Sequence, residues 1–92
     1  MAVDEQAVNR AFFKGERLVA IPAKRSKRLV VLDRLAQMFE PGRHYSEAQV
    51  NEMLGSVHPD FAALRRYLVD EGFLDREFGW YWRCGGTFDV SH

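Results

Sequence analysis

The side chains that could perform covalent or metal chemistry in this chain are few, and their spacing does not suit catalysis. Cys84 is the only cysteine, and no histidine stands near it in the sequence to activate a thiolate. His44, His58 and His92 have no metal-ligand spacing with one another or with Cys84. The seven glycines are scattered and form no phosphate-binding loop. The sequence therefore predicts a protein that is not an enzyme and that uses no metal and no cofactor.

Lysines and arginines offer a different chemistry, which is the binding of phosphate. The densest group of positive charges is a basic segment made of Lys24, Arg25, Lys27 and Arg28. Side chains of this kind supply most of the non-specific affinity of proteins for nucleic acid. Before the start of a helix they oppose the helix dipole, which suggests a role beyond local stability. An ordinary solvated surface is the alternative interpretation.

The charge of the chain is balanced overall but unevenly distributed. Residues 21–45 carry a net charge of +4, and residues 46–92 carry a net charge of −4. The acidic part is the one in which a DNA-reading surface would ordinarily lie. Charge by itself therefore favours a protein partner over nucleic acid.

Four helices are predicted to position these side chains. Asp4 can cap a first helix that runs to about Lys14, with Gly15 as its stop. A second helix is expected over 26–39, because Leu29, Leu32, Leu35, Ala36 and Phe39 form an apolar stripe. A third helix is expected over 47–54, where Ser46 and Gln49 form a capping box. A fourth helix is expected over 59–71, with Pro59 in its first turn and Gly72 after its end.

Two regions favour strands. Residues 17–21 are a short apolar run that ends at Pro22, which predicts an edge strand. Residues 73–84 can fold into a hairpin around Phe78 and Gly79. Alternation places Trp80 and Trp82 on one face, where we expect them to seal the core, or else to stack on bases or on a partner. Phe78 fits a tight turn poorly, so the hairpin should be short or its loop irregular.

This order of elements predicts an α+β fold of the winged helix-turn-helix type, with about four helices and a small antiparallel sheet. Residues 1–92 should form one domain. Its N-terminal helix and edge strand occupy 1–22, the helix-turn-helix and wing occupy 23–84, and a loose tail occupies 85–92. The apolar runs are far shorter than the ~20 residues of a membrane span. With a single cysteine and no signal-peptide pattern, a cytoplasmic location is expected.

The second helix of a helix-turn-helix enters the major groove of DNA, which makes the predicted fourth helix the candidate reader. Ala63 is small enough to allow close approach, and Arg66 could bind a guanine or a phosphate. His58 and Tyr67 could add contacts to the DNA backbone. The alternative is that Arg66 pairs with Asp70, and that Arg65 pairs with Glu47 or Glu52.

Several segments resemble a known bacterial family. They are RLVAIP at 17–22, KRLVVL at 27–32, YSEAQVN at 45–51, DFAALRRYLVD at 60–70, LDR at 74–76 and YW at 81–82. Together they resemble Domain of Unknown Function 2087, over about residues 15–84. The resemblance implies a small winged-helix-like domain of a kind that also occurs joined to helix-turn-helix regulators. It supplies no established functional residues.

The sequence thus leads to a nucleic-acid-binding winged-helix protein, expected to be a small transcription regulator with DNA as its partner. The alternative is a protein-interaction module on the same scaffold, without DNA binding. The first helix could also bury its stripe of Val8, Ala11 and Phe12 against a second copy, because a symmetric dimer suits a palindromic DNA site.

Overall fold

Residues 4–87 are the part of the chain that the computed structural model describes, and they form four helices and two small antiparallel sheets. The helices are α1 (Glu5–Phe12), α2 (Arg25–Ala36), α3 (Glu47–Gly55) and α4 (Phe61–Asp70). The strands are β1 (Phe13–Lys14), β2 (Arg17–Leu18), β3 (His44–Ser46), β4 (Leu74–Glu77) and β5 (Trp80–Arg83). The predicted α+β class is confirmed, and the order α2, β3, α3, α4, β4, β5 is a winged-helix-like arrangement.

The N-terminal unit consists of α1 and a small hairpin, and it differs from the prediction in both parts. Asp4 does cap α1, since its carboxylate accepts a hydrogen bond of 3.2 Å from the Ala7 backbone. The helix ends at Phe12 because β1 pairs with β2, and Gly15 (φ 63°) lies in the turn between them. The predicted strand over 17–21 is therefore only two residues long. Pairing across a tight turn satisfies backbone groups that a longer helix would have used.

The apolar side of this unit packs on the chain's own domain. Val8, Phe13 and Leu18 are buried, and Phe12 is half-buried against the core. The Leu18 backbone N–H also donates a 3.0 Å hydrogen bond to the carbonyl of Val57, in the turn that follows α3. Most of the stripe that could have met a second copy is thus already covered. A homodimer through α1 stays a prediction.

Local caps define the helix-turn-helix. The predicted capping box is present: the Gln49 N–H donates to the Ser46 hydroxyl at 3.2 Å, and the Ser46 N–H donates to the Gln49 side chain at 2.8 Å. α4 begins at Phe61, two residues later than predicted, because the Asp60 carboxylate accepts from the Ala63 N–H at 3.2 Å and so caps the helix. Pro59 stands outside the helix.

The end of α4 is fixed by the predicted glycine. Gly72 adopts φ 79°, and its N–H donates to the Val69 carbonyl at 3.1 Å. The Phe73 N–H donates to the Leu68 carbonyl at 2.8 Å, which completes a Schellman motif. This turn reverses the chain from α4 directly into β4.

The larger sheet has the order β3-β5-β4. The strand β3 was not predicted. Because β3 pairs with β5 and β5 pairs with β4, the side chains form rungs, each a row of three residues across the three strands. One rung consists of Tyr45, Tyr81 and Arg76, which share one face of the sheet. Tyr81 is only 1% exposed, whereas Trp80 is 50% exposed. The prediction that Trp80 and Trp82 seal the core is wrong, because Tyr81 takes that place and alternation turns both indoles outward.

The tip of the wing is a two-residue turn between β4 and β5. Phe78 and Gly79 both adopt positive φ, at 51° and 81°. These are the signs that a type I′ turn requires. The turn is therefore regular. Of the two predicted alternatives, a short hairpin or an irregular loop, the structure has the short hairpin.

The core lies between α2, α3, α4 and the inner face of the sheet. Leu32, Leu35, Ala36 and Phe39 are fully buried as predicted, whereas Leu29 is only half-buried. α2 ends at Ala36, and Phe39 reaches the core from the following turn, where its ring meets Tyr45 edge-on at 5.1 Å. Among residues 4–87 no helix has both the length and the apolarity to cross a lipid bilayer.

The predicted loose tail begins at Gly85, but its first residues are held. The Gly85 N–H donates to the Phe73 carbonyl at 3.2 Å, and the Thr87 N–H donates to the Asp33 carboxylate at 2.6 Å. The Thr87 carbonyl also accepts from Arg83. Residues 88–92 of the predicted tail lie outside the described residues.

The Schellman turn gives a direct test of the fold. Ala substituted for Gly72 should lower the free energy of unfolding by about 1 kcal/mol, because a Cβ there is strained by positive φ. Space is no obstacle, since among residues 4–87 no atom beyond the neighbouring residues lies within 4 Å of an added Cβ. Gly55→Ala is the matched control, because its Cβ would make an ordinary 3.6 Å contact with Phe61 and its φ is not positive. Urea unfolding should show Gly55→Ala unchanged or more stable. Equal losses in both variants would contradict the assigned turn.

Candidate nucleic-acid interface

The solvent-facing side of α4, which we call the α4 ridge, is formed by Ala62, Ala63, Arg66 and Asp70. It lies opposite Leu64 and Leu68, the two α4 residues that are fully buried. Arg66 is exposed, and among the described residues no carboxylate lies within ion-pair distance of its guanidinium. The alternative pairing of Arg66 with Asp70 is not formed. Arg66 therefore projects from the ridge with its hydrogen-bond donors available.

A groove of about 230 Å³ separates the α4 ridge from the wing. Arg65, Arg66 and Asp70 line it from α4, and Arg76 and Tyr81 line it from the wing. The nearby Tyr81 hydroxyl, and more weakly the carboxylates of Glu47 and Asp70, raise the pKa of Arg76. Like any arginine, Arg76 is protonated at neutral pH, so it places a positive charge on the far wall of the groove.

Arg65 is occupied within the domain, in contrast to Arg66. Its guanidinium donates to the Asn51 side chain in α3, and its Nε lies 3.8 Å from the Glu47 carboxylate. The Tyr81 hydroxyl donates to the same carboxylate at 2.9 Å. The predicted pairing of Arg65 with Glu47 is thus present. This cluster ties α4 to α3 and to the wing, and it fixes the floor of the groove.

The basic segment divides into two structural arginines and two exposed lysines. Arg25 forms a two-pronged contact with the Glu71 carboxylate, with distances of 2.9 and 2.8 Å. Arg28 lies over the Tyr67 ring at 4.5 Å and donates to the Pro22 and Ala23 carbonyls at 3.4 and 3.0 Å. Lys24 and Lys27 are exposed, and no carboxylate in residues 4–87 pairs with them.

These contacts place the basic segment beside the α4 ridge. Tyr67 follows Arg66 on α4 and carries the Arg28 guanidinium on its ring. Arg25 reaches Glu71 at the C-terminal end of the same helix. The ridge is thus flanked by the start of α2 on one side and by Arg76 on the other. Positive side chains from three separate elements meet along one helix.

The remaining predicted contacts lie at the N-terminal end of α4. His58 is half-buried, and its Nδ1 accepts a 3.0 Å hydrogen bond from the Asp60 N–H, so it stabilises the turn before the helix. Ala63 is half-buried on the ridge. Lys14 and Arg17 from the first hairpin line a recess together with His58. These two residues cannot be found from the sequence alone, because their nearness to α4 depends on the N-terminal unit packing back onto the domain.

Arg76 was also missed, although the sequence holds a signal for it. In the hairpin it alternates with Asp75 and Glu77, so it must lie on the face opposite to these acids. When the charges of the whole wing are added together, Asp75 and Glu77 cancel the charge of Arg76. When each face of the wing is considered separately, Arg76 lies with Tyr81 on the face that points toward α4.

Comparison with known proteins gives a family but no activity. The family described as an uncharacterized protein conserved in bacteria (DUF2087) matches residues 17–83, and the chain therefore belongs to it. No curated protein and no solved structure matches the chain.

The contact between Arg25 and Glu71 should appear in the pH dependence of stability. Hydrogen bonding to Arg25 lowers the pKa of Glu71. A lowered folded-state pKa adds stability that is complete above the unfolded-state value of about 4.3, and this stability is lost as the pH falls through the folded-state pKa. Glu71→Gln should therefore lower the Tm at neutral pH, and the difference from the original chain should shrink below about pH 4.

The control for this test is Glu52→Gln, which removes an exposed carboxylate of α3 without a partner among the described residues. Its Tm should track that of the original chain at every pH. A Glu71→Gln deficit of constant size down to about pH 3 would show that the charge of Glu71 is not what stabilises this contact.

Proposed function

We propose that this bacterial family member binds duplex DNA, with the α4 ridge lying in the major groove. The observation that carries the proposal is the position of Arg66. It is exposed, it has no carboxylate partner among residues 4–87, and positive side chains of α2 and of the wing flank it on two sides. Ala62 and Ala63 keep the ridge low enough for a helix to approach base edges.

The side chains take different roles in this proposal. Lys24 and Lys27 contact phosphates, because they are exposed and unpaired within the described chain. Arg25 and Arg28 act indirectly, since their contacts with Glu71 and Tyr67 hold the start of α2 against α4. Arg66 forms hydrogen bonds with a base edge or with a neighbouring phosphate.

Acidic side chains limit the affinity that this surface can reach. Asp60 caps α4 at its start and Asp70 stands on the ridge itself, so the interface depends on a small number of phosphate contacts. Each phosphate contact adds about 0.9 to the slope of log affinity against log salt, so binding through a few contacts should weaken only moderately as salt rises. Regulation of transcription is the role that we infer for a small DNA-binding domain of this kind, and a cytoplasmic location belongs to the same proposal.

A second candidate function is a protein-interaction module. The observation that favours it is the outer face of the wing, where the exposed Trp80 and the half-buried Trp82 lie beside carboxylates. This face is turned away from the groove that Arg76 and Tyr81 line. The two functions therefore use separate surfaces of one domain.

Salt dependence tests the phosphate contacts. Binding of a fluorescent random-sequence duplex of ~20 base pairs, followed by anisotropy, should weaken between ~50 and ~200 mM salt. The double variant Lys24→Ala and Lys27→Ala should reduce the slope of log affinity against log salt by up to ~2, because each lost phosphate contact removes about 0.9. Arg43→Ala should leave the slope unchanged, since Arg43 lies over the Tyr45 ring and is not part of the α4 surface. If folded protein does not bind the duplex at low salt, the DNA proposal is wrong.

Arg66 should carry sequence preference. A preferred site is first selected from a pool of random duplexes, and affinities for that site and for an unselected duplex are then compared. Arg66→Ala should cost about 1–3 kcal/mol on the selected site and less on the unselected one, because base contacts specify while phosphate contacts do not. Arg43→Ala again serves as the control. Equal losses on both duplexes would reduce Arg66 to a phosphate contact.

A further inference from the structure

The outer face of the three-stranded sheet is made of two rungs. The first rung joins His44, Trp82 and Asp75, and the second joins Ser46, Trp80 and Glu77. Residues that are paired across an antiparallel sheet share a face, so all six side chains point away from the core. We call this surface, together with Phe78 at the tip of the wing, the aromatic face.

The aromatic face exposes large apolar side chains that the domain does not use. Trp80 is 50% exposed and Phe78 is 94% exposed. Trp82 is half-buried, and its ring lies 5.1 Å from the ring of His44 at a tilt of 34°. Both tryptophans of the chain are on this one surface. Exposed aromatic side chains gathered in one place typically mark an interaction surface.

Phe78 carries an additional cost. Its φ of 51° lies in the left-handed region, where glycine or asparagine would sit with less strain. Its side chain is almost fully exposed, so packing against residues 4–87 does almost nothing to offset that strain. An apolar residue that is both strained and solvated is explained most directly by a contact with another molecule.

Charge identifies the kind of partner. Asp75 stands directly across from Trp82, and Glu77 stands directly across from Trp80. None of the six side chains on the two rungs is a lysine or an arginine, since Arg76 and Arg83 alternate to the inner face. An indole ring beside a carboxylate suits a guanidinium or an ammonium group, which can lie on the ring and pair with the acid.

We propose that the aromatic face binds an extended segment of a partner protein that carries arginine or lysine at alternate positions. The two rungs are two residues apart along β5, which is about 6.8 Å. Alternate side chains of an extended peptide have the same spacing, so one basic residue can sit on each rung. Phe78 then covers the apolar part of the bound segment at the end of the wing.

The same charges argue against other occupants. DNA would bring phosphates against Asp75 and Glu77. A second copy that docked by this same face would oppose the two acids with two more, because a two-fold contact places like surfaces together. Since Arg76 and Tyr81 line the opposite side of the sheet, binding at the aromatic face leaves the α4 ridge accessible.

Intrinsic fluorescence tests this proposal directly, because both reporters lie on the face. The probe is a ~10-residue peptide of alternating arginine and glycine, long enough to span the strand. It should change the tryptophan emission in a saturable way. An alternating glutamate–glycine peptide should not. A peptide with the same arginines clustered in adjacent pairs should bind more weakly, and equal binding of both arginine peptides would overturn the proposed register.

Variants separate docking from stability. The double variant Asp75→Asn and Glu77→Gln should weaken binding of labelled peptide roughly tenfold. It removes the two carboxylates that pair with the peptide's basic groups and hold them over the indole rings. Phe78→Gly should bind more weakly although it unfolds at a higher urea concentration, because glycine relieves the positive φ. Arg66→Ala should bind the peptide unchanged, which keeps this result independent of the DNA experiment.

Two outcomes would overturn the proposal. The first is no saturable response to the alternating arginine peptide at millimolar concentration with folded protein. The second is a dimer in sedimentation velocity that becomes tighter in the Asp75→Asn and Glu77→Gln variant, since that result would assign the face to a second copy of the chain.

Discussion

The inward position of Tyr81 at the centre of the sheet is the constraint on which both candidate surfaces depend. Its ring is buried between β3 and β4, and its hydroxyl donates to Glu47 at the start of α3. Once Tyr81 faces inward, the pleat leaves no choice for its neighbours. Arg76 must share its face and meet α4, and Trp80 and Trp82 must face solvent. One side chain therefore separates a cationic surface from an acidic, aromatic one.

Arginine in this domain serves the fold as much as it serves binding. Arg25 and Arg28 join the start of α2 to the end of α4, and Arg65 joins α4 to α3. Planar guanidinium groups suit such contacts because they can form paired hydrogen bonds and stack on rings. The consequence is that a count of positive residues overstates the charge available to a ligand. The cations left for a ligand are those without such contacts, among them Arg66 and the lysines of the basic segment.

The candidate site was predictable from the sequence only where it depends on one helix. The exposure of Arg66 follows from its angle to Leu64 and Leu68, which periodicity reveals. The engagement of Arg25 does not, because its partner Glu71 lies 46 residues away. For the same reason the sequence left open which carboxylate Arg65 would meet, because Glu47 lies on a different helix. In the wing, alternation predicts that Arg76 lies on the opposite face from Asp75 and Glu77. It does not predict which of the two faces packs against the core.

Local hydrogen bonds explain what the sequence determined by itself. The caps at Asp4 and Ser46, the stop at Gly72 and the apolar stripe of α2 all involve residues a few positions apart, so residue types and spacing suffice to predict them. Tertiary structure alone decided the pairing of β3 with β5, the side of the hairpin that faces the core, and the partners of the arginines. Each of these brings together residues that are distant along the chain. Alternative pairings would satisfy local preferences equally well, so the packing of the whole core decides which pairing has the lowest free energy.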